Sequence, residues 1–461
     1  MKQGRRFIGA LLAVCMMAAM AGGCGAKNGE TAAEAATTIG GAVAGTTAAA
    51  AAVTEGAATA AESAAVTGGA AAKTAAAAAG PDSVGSESGR LDAEVFSYAE
   101  GEAAAADGGP GETAACLPTA RQEIQPQSGT LTAGEWNDNT NYDYFKDVLN
   151  HNDWYSYMEI WKLFPTSRYA VQVTNENQEA AKNQKVELMA GQRVIGSAVT
   201  DSEGMAYVYY NLDHEEKKAD IIRIGDTEYA LEEKDKDGTV HLVLKSYEEP
   251  EEKTLDLLFM VDTTGSMSDE LEFLKLELQD VIRRVAEEYE GIRIRLSVNF
   301  YRDREDAYVV RDFPFTEDID EALSRLRVQY SDGGGDYPEA VDEAFENAVK
   351  GHEWSEDSVK LLFFVLDAPP HSDRNGTVDL MGSTLSAAAE SGIRVLPVAS
   401  SGVDTETEYL LRTMAAVSGG TYIFLTDDSG VGDSHLEPTI GDYDVEYLND
   451  LMVRLINWYC K

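Results

Sequence analysis

Apolar and polar residues alternate in different ways along this chain, and the pattern of its last 200 or so residues is the most informative. From residue 254 onward, short runs that are almost wholly apolar trade places with stretches whose apolar residues recur every three or four positions. The runs 255–261 and 359–366 have the pattern of strands covered on both faces in a parallel sheet. Between them, Leu271, Leu274, Leu278, Val281 and Val285 make one stripe of a helix predicted over 269–289. Strands are predicted at 292–300, 393–399 and 422–425, with an antiparallel edge strand at 308–313. Helices are predicted at 338–350, 378–391, 406–417 (closed by Gly419) and 445–458. Such alternation specifies a doubly wound, Rossmann-like α/β domain over 254–461, with right-handed crossovers covering both faces of the sheet.

Residues 131–248 have a different rhythm. Short period-two runs at 169–173, 186–188, 205–209 and 240–244 are separated by Asn, Asp and Gly turn residues, which predicts a small antiparallel β-sandwich. Asp235-x-Asp237-Gly238 reads as a hairpin turn between two strands, because no Glu follows at the spacing of a calcium loop. The stretch 194–204 resembles carboxypeptidase-regulatory-like and related Ig-like modules, in which two strands flank an acidic-glycine turn. Trp136, Phe145, Trp154 and Trp161 belong to a dense aromatic cluster expected to fill a core or an interface, with carbohydrate stacking as the alternative.

The first 130 residues show neither rhythm. Lys2, Arg5 and Arg6 precede an apolar run from Phe7 to Ala21, which at ~15 residues is short for a membrane span and has the length of a signal-peptide core. It ends in Ala21-Gly22-Gly23-Cys24, which resembles the lipobox of bacterial lipoproteins. That resemblance implies that Cys24 is diacylated, becomes the new N-terminus and anchors the chain on the extracytoplasmic face of the cell membrane. From Thr31 to Gly80 half the residues are Ala, mixed with Gly and Thr. Too little apolar surface is available there to offset the entropy of ordering, so 25–130 is expected to be a flexible tether with a reach of ~55 Å.

Composition narrows the function. Lys and Arg total 37 against 80 Asp and Glu, a net charge of −43, which excludes a general nucleic-acid binder. With 4 Cys and no Cys-x-x-Cys spacing, a disulfide scaffold, a zinc ribbon and an iron–sulfur protein are excluded. A Cys116–Cys460 bridge stays open. Neither a Walker loop nor Gly-x-Ser-x-Gly occurs.

In a doubly wound sheet, ligands sit at the carboxyl ends of the central strands. Three loops belong there. The first, after 255–261, is Asp262-Thr263-Thr264-Gly265-Ser266, whose alternate side chains can converge on one point. The second is Gly333-Gly334-Gly335-Asp336-Tyr337-Pro338-Glu339, and the third Asp367-Ala368-Pro369-Pro370-His371. Hydroxyls and carboxylates dominate, a donor set for a hard cation such as Mg²⁺ or Mn²⁺, with Ca²⁺ a further candidate.

From about 254 to 460 the chain resembles the von Willebrand factor type A fold, and the three loops resemble its metal-ion-dependent adhesion site. The family has Asp-x-Ser-x-Ser in the first loop, Thr in the second and Asp in the third. On that resemblance Asp262, Thr264, Ser266 and Asp367 are metal ligands, and Asp336 stands where Thr is usual. A branch with Gly-Gly-Gly-Asp-x-Pro-Glu and Asp-Ala-Pro-Pro-His in these loops is similar to this chain. The implied function is cation-dependent binding of a protein ligand through an acidic side chain, without catalysis. The alternative is a metal-assisted cell-envelope enzyme or an accessory subunit of one.

If Cys24 carries the anchor, Cys24→Ala releases the protein from membranes or leaves it unprocessed. Mass spectrometry of the mature chain and detergent partitioning read the result, and no change in either refutes the assignment.

Overall fold

Leu257, Phe259 and Val261 face one hydrophobic core while Leu258 and Met260 face another, so the first apolar run of the C-terminal domain is buried on both sides. The computed structural model describes residues 125–231, 238–247, 249, 253–289 and 291–461. The expectations for the leader with Cys24, for residues 25–124 with Cys116, and for Asp235 and Asp237 fall outside them.

Along the chain, β1 (Thr132–Trp136) precedes two helices, α1 (Tyr142–Leu149) and α2 (Asn152–Trp161). Next come β2 (Arg168–Asn175), β3 (Lys185–Ala190), β4 (Arg193–Val199), β5 (Met205–Tyr209), β6 (Ile221–Ile224), β7 (Thr227–Ala230) and β8 (Thr239–Leu244). The C-terminal part begins with β9 (Thr254–Asp262), α3 (Leu271–Glu288), β10 (Arg293–Tyr301), β11 (Val310–Arg311), α4 (Ile319–Arg327) and α5 (Val341–Lys350). It continues through β12 (Ser358–Leu366), α6 (Thr377–Ser391), β13 (Ile393–Ala399), α7 (Thr405–Ser418), β14 (Tyr422–Leu425), β15 (Glu446–Tyr447) and α8 (Leu448–Tyr459). Among the described residues no helix is long and apolar enough to cross a membrane.

The large sheet has the order β11-β10-β9-β12-β13-β14-β1-β15. Its central strands β10, β9, β12, β13 and β14 are parallel, and β11, β1 and β15 are antiparallel additions at the two edges. Leu274 and Leu278 of α3, Leu323 and Leu326 of α4, and Leu451 of α8 cover one face. Phe345 of α5, Leu385 of α6 and Leu411 of α7 cover the other. This is the doubly wound α/β arrangement that the sequence predicts. Helix α4 escaped the pattern reading. Its signals are local: Asp318 caps Glu321 N at 3.0 Å, and Ala322, Leu323 and Leu326 are its buried stripe.

Between the two ends of the sheet sequence lies a sandwich of two small sheets, β5-β2-β8 and β4-β3-β6-β7. Val171, Val173, Val186, Leu188, Val208 and Ile222 fill the space between them. Two details differ from expectation. The pairing of β2 with β8 is parallel, so the sandwich is mixed. Strands β7 and β8 belong to different sheets and do not pair with each other.

The segment 131–165, read from sequence as the start of the sandwich, lies instead with the α/β domain. β1 inserts between β14 and β15. Just before it, the Glu277 carboxylate of α3 accepts the backbone N–H groups of Gly129, Thr130 and Leu131 at 2.7, 2.8 and 3.0 Å. The aromatic residues then pack on α7: Trp154 meets Tyr409 edge-on at 5.8 Å, and Trp161 is fully buried. They fill an interface, and their spacing is that of two short helices.

Arg412 locks this joint. Its guanidinium donates to both oxygens of Asp138 (2.9 and 2.7 Å) and to Glu408 (3.2 Å), all three residues buried, and to the Thr439 carbonyl (2.6 Å). Replacing it by Met strands two buried carboxylates. Arg412→Met is expected to cost about 3–5 kcal/mol, read as a lower midpoint in urea unfolding; a change under about 1 kcal/mol contradicts the assignment.

Candidate functional site

Strand β9 delivers Asp262 to the carboxyl end of the sheet, where the residue is fully buried. Its Oδ1 accepts two hydrogen bonds from Thr264, from the backbone N–H at 2.8 Å and from Oγ1 at 2.7 Å. Thr264 Oγ1 lies 3.1 Å from Ser266 Oγ, so the alternate residues of the first loop do converge. Thr263, between them, turns the other way, bonding the Tyr301 carbonyl and the Tyr308 hydroxyl.

The second loop is drawn against the first through backbone. Gly265 N donates to the Gly333 carbonyl at 3.2 Å, and a Cβ on Gly265 would stand 2.8 Å from that oxygen. Gly333 and Gly334 take φ of +83° and +74°, a path that suits glycine. Gly334 N donates to Asp306 Oδ2 at 2.9 Å, which also accepts from Asp303 N at 3.1 Å. The third loop starts at Asp367 after β12, and its Pro369 carbonyl accepts from Glu339 N at 3.0 Å. Ser266, Asp336, Glu339 and Asp367 thereby line one cleft.

Its electrostatics are unbalanced. Asp262 Oδ2, Asp367 Oδ1 and Glu339 Oε2 are buried and make no hydrogen bond of ordinary geometry. Burial pushes the Asp262 carboxyl up to about 6, against the hydrogen bonds from Thr264. Burial and then the charge of Asp262 push Asp367 up to about 7. Burial, followed by Asp262, Asp303 and Asp367, pushes Glu339 up to about 9. Three carboxyl groups with unpaired oxygens, next to two hydroxyls, fit a hard divalent cation in their donor chemistry.

The predicted residues do not all gather at one point. Asp262, Thr264 and Ser266 are joined by hydrogen bonds, and Asp367 weighs on their electrostatics. Asp336 lines the same cleft, but its carboxylate groups with Asp303 and His371, the donor atoms of all three lying within 4.8 Å of one another. Asp262, Asp336 and Asp367 form no such group. Glu339, Asp303 and His371 are additions to the sequence reading. Glu339 and His371 stand in the loops already singled out, while Asp303 has only its place after β10 to mark it.

Beside the cleft, Glu270 (fully buried) accepts from His435 Nε2 at 2.7 Å, and His435 Nδ1 is 2.9 Å from Asp427 Oδ1. This pair of contacts clamps the loop after β14 against the start of α3.

Residues 256–428 match the family described as von Willebrand factor A domain, and this stretch of the chain carries such a domain. A putative ariadne-like RING finger protein of Acanthamoeba polyphaga mimivirus is 30% identical over 124 residues, 26% of this chain. The match spans only 12% of the viral protein. Among solved structures, the conserved hypothetical protein BatB from Bacteroides thetaiotaomicron aligns with 14% identity and a TM-score of 0.29. That alignment covers 44% of this chain and 97% of BatB.

Raised carboxyl groups set a pH dependence. Without a cation, Asp262, Asp367 and Glu339 hold protons that the unfolded chain releases near pH 4, so folding binds protons and stability falls as pH rises. The fall begins near the unfolded values and ends above the folded ones, about 6, 7 and 9. In chelator, the melting temperature is therefore expected to be lower at pH 8 than at pH 5, and Mg²⁺ should restore it at pH 8. A melting temperature that is flat across this range contradicts the unbalanced charge.

Proposed function

We propose that this chain is a lipid-anchored, extracytoplasmic binding protein whose α/β domain captures a protein ligand through a divalent cation. The observation that carries the reading is the pair of buried, unpaired oxygens on Asp262 and Asp367 at the carboxyl ends of adjacent strands. Asp262, Thr264, Ser266 and Asp367 would hold the ion, which supplies a positive centre that an acidic side chain of the ligand can complete. Thr264 holds Asp262 Oδ1 in place through two hydrogen bonds, which leaves Oδ2 free for the ion. Glu339 supplies a further carboxyl at the cleft wall.

Binding, rather than catalysis, is favoured by the composition of this cleft. Ser266, Asp336, Glu339 and Asp367 with the glycines of the second loop make its wall, and no hydroxyl or thiol there is paired with an imidazole as a nucleophile would be. The von Willebrand factor A domain at 256–428 supports the same reading, because such domains commonly mediate protein interaction. The net charge of −43 stands against a nucleic-acid partner.

Calorimetry with Mg²⁺ and Mn²⁺ is expected to show binding that Asp262→Ala and Asp367→Asn each weaken at least tenfold, about 1.4 kcal/mol. Capture of a protein from the native envelope should be lost in chelator and in both variants. Capture indifferent to chelator and to both substitutions overturns the reading.

A further inference from the structure

The geometry points to a second divalent-cation site, of the transition-metal class, formed by Asp303, Asp336 and His371 with Glu339 at its boundary. It does not rest on the ion proposed for Asp262 and Asp367. The three residues come from three loops: the turn after β10, the glycine loop and the segment after β12. Asp303 and His371 are buried, at 6% and 4% exposure, while Asp336 is open to solvent. Their donor atoms lie within 4.8 Å of one another, and His371 Nε2 is 3.2 Å from Asp303 Oδ1. Around an octahedral ion with bonds of about 2.1 Å, neighbouring ligand atoms sit about 3 Å apart and opposite ones about 4.2 Å. A limit of 4.8 Å is slightly wider than such an ion spans, so the three side chains need only a small closing movement to share one.

Glu339, which stands between this group and the first cleft, adds a need for positive charge that both share. Glu339 is 3% exposed, and its Oε2 is buried without a hydrogen bond. Its backbone pairs with Pro369 and Pro370, immediately before His371, which places its stem between the glycine loop and the third loop. The acids acting on it are Asp262 and Asp367 from one group, and Asp303 and Asp306 from the other. The arginines flanking Asp303 are engaged elsewhere. Arg302 donates to the Tyr330 carbonyl at 2.8 Å and approaches Asp332 at 3.4 Å. Arg304 is held by Asp342 and Glu343, both at 2.6 Å. Asp306 is scaffold, since its Oδ2 already accepts from Asp303 N and Gly334 N and ties the two acidic loops together.

The donor set also separates the two sites. Asp262, Thr264, Ser266 and Asp367 offer oxygen alone, whereas His371 adds an imidazole nitrogen, which favours Mn²⁺ or Zn²⁺ over Mg²⁺ and Ca²⁺.

Titrating Mn²⁺ into the full chain tests this. Two equivalents are expected to bind, with excess Mg²⁺ displacing only one. His371→Asn and Asp303→Asn should each remove the Mg²⁺-resistant equivalent, and Asp262→Ala the other. Wild-type protein that binds a single equivalent, lost in Asp262→Ala but kept in His371→Asn, overturns the second site and leaves the first intact. A single equivalent lost only in His371→Asn does the reverse. The unsubstituted chain gives a readout free of folding effects: pulsed electron paramagnetic resonance of the Mg²⁺-resistant Mn²⁺ should show coupling to an imidazole nitrogen. Absence of that coupling overturns the proposal.

Discussion

Holding carboxylates out of water is the constraint around which the carboxyl end of the large sheet is organised. Strands β9 and β12 are adjacent, parallel and buried on both faces; β9 ends in Asp262 and β12 is followed at once by Asp367, both held in the interior. An ionised pair there, without a counter-charge, would cost several kcal/mol. The surrounding loops answer only in part. Thr264 satisfies one oxygen of Asp262, and the glycine loop approaches the first loop through backbone groups. Arg304 is drawn off to Asp342 and Glu343, and Arg302 bonds the Tyr330 carbonyl and eases Asp262 only through its charge. Protonation or a bound cation must do the rest, which ties the chemistry of the site to the stability of the fold.

The parts of this arrangement that sequence makes legible are those written in short-range spacing. Apolar runs located β13 and β14 to the residue, because a strand buried on both faces needs no partner to declare itself. Apolar runs of the same kind place Asp262 and Asp367 at the carboxyl ends of β9 and β12. What sequence hides is pairing over distance. β1 meets β14 through contacts such as Thr132 Oγ1 to Thr426 Oγ1 at 2.8 Å, 294 residues apart, and nothing local in Thr132–Trp136 names that partner. Trp154 and Trp161 looked like the content of a small β core because the helices carrying them are short and their hydrophobic surface belongs to α7. Likewise, Asp336 was assigned by loop and not by neighbour; the partnership with Asp303 and His371 exists only once three loops have converged.

The small sandwich is joined to the opposite, amino end of the sheet by specific contacts as well as apolar ones. Arg394, at the start of β13, donates to the Val199 carbonyl at 3.2 Å, and Ser202 Oγ donates to the Trp458 carbonyl at 3.0 Å. Gly392 allows the approach: a Cβ there would lie 2.9 Å from that of Val199. Lys182 reaches the terminal residue, Lys461, at 2.9 Å. These contacts brace the end of the domain remote from the cleft.

The antiparallel entry of β1 has a mechanical consequence. Because Ala133 pairs with Leu425 and Trp136 with Tyr422, the chain enters the sheet at the end where β14 finishes, the same end at which β9 and β12 present Asp262 and Asp367. Under the proposed function, a force between the segment before β1 and a ligand in the cleft would act across one rim of the sheet and not along its strands. Its first resistance is the clasp of Glu277 on three successive amides, and α3, which bears that clasp, begins just beyond Ser266. Pulling on the segment before β1 and loading the proposed site would, in this geometry, strain the same helix.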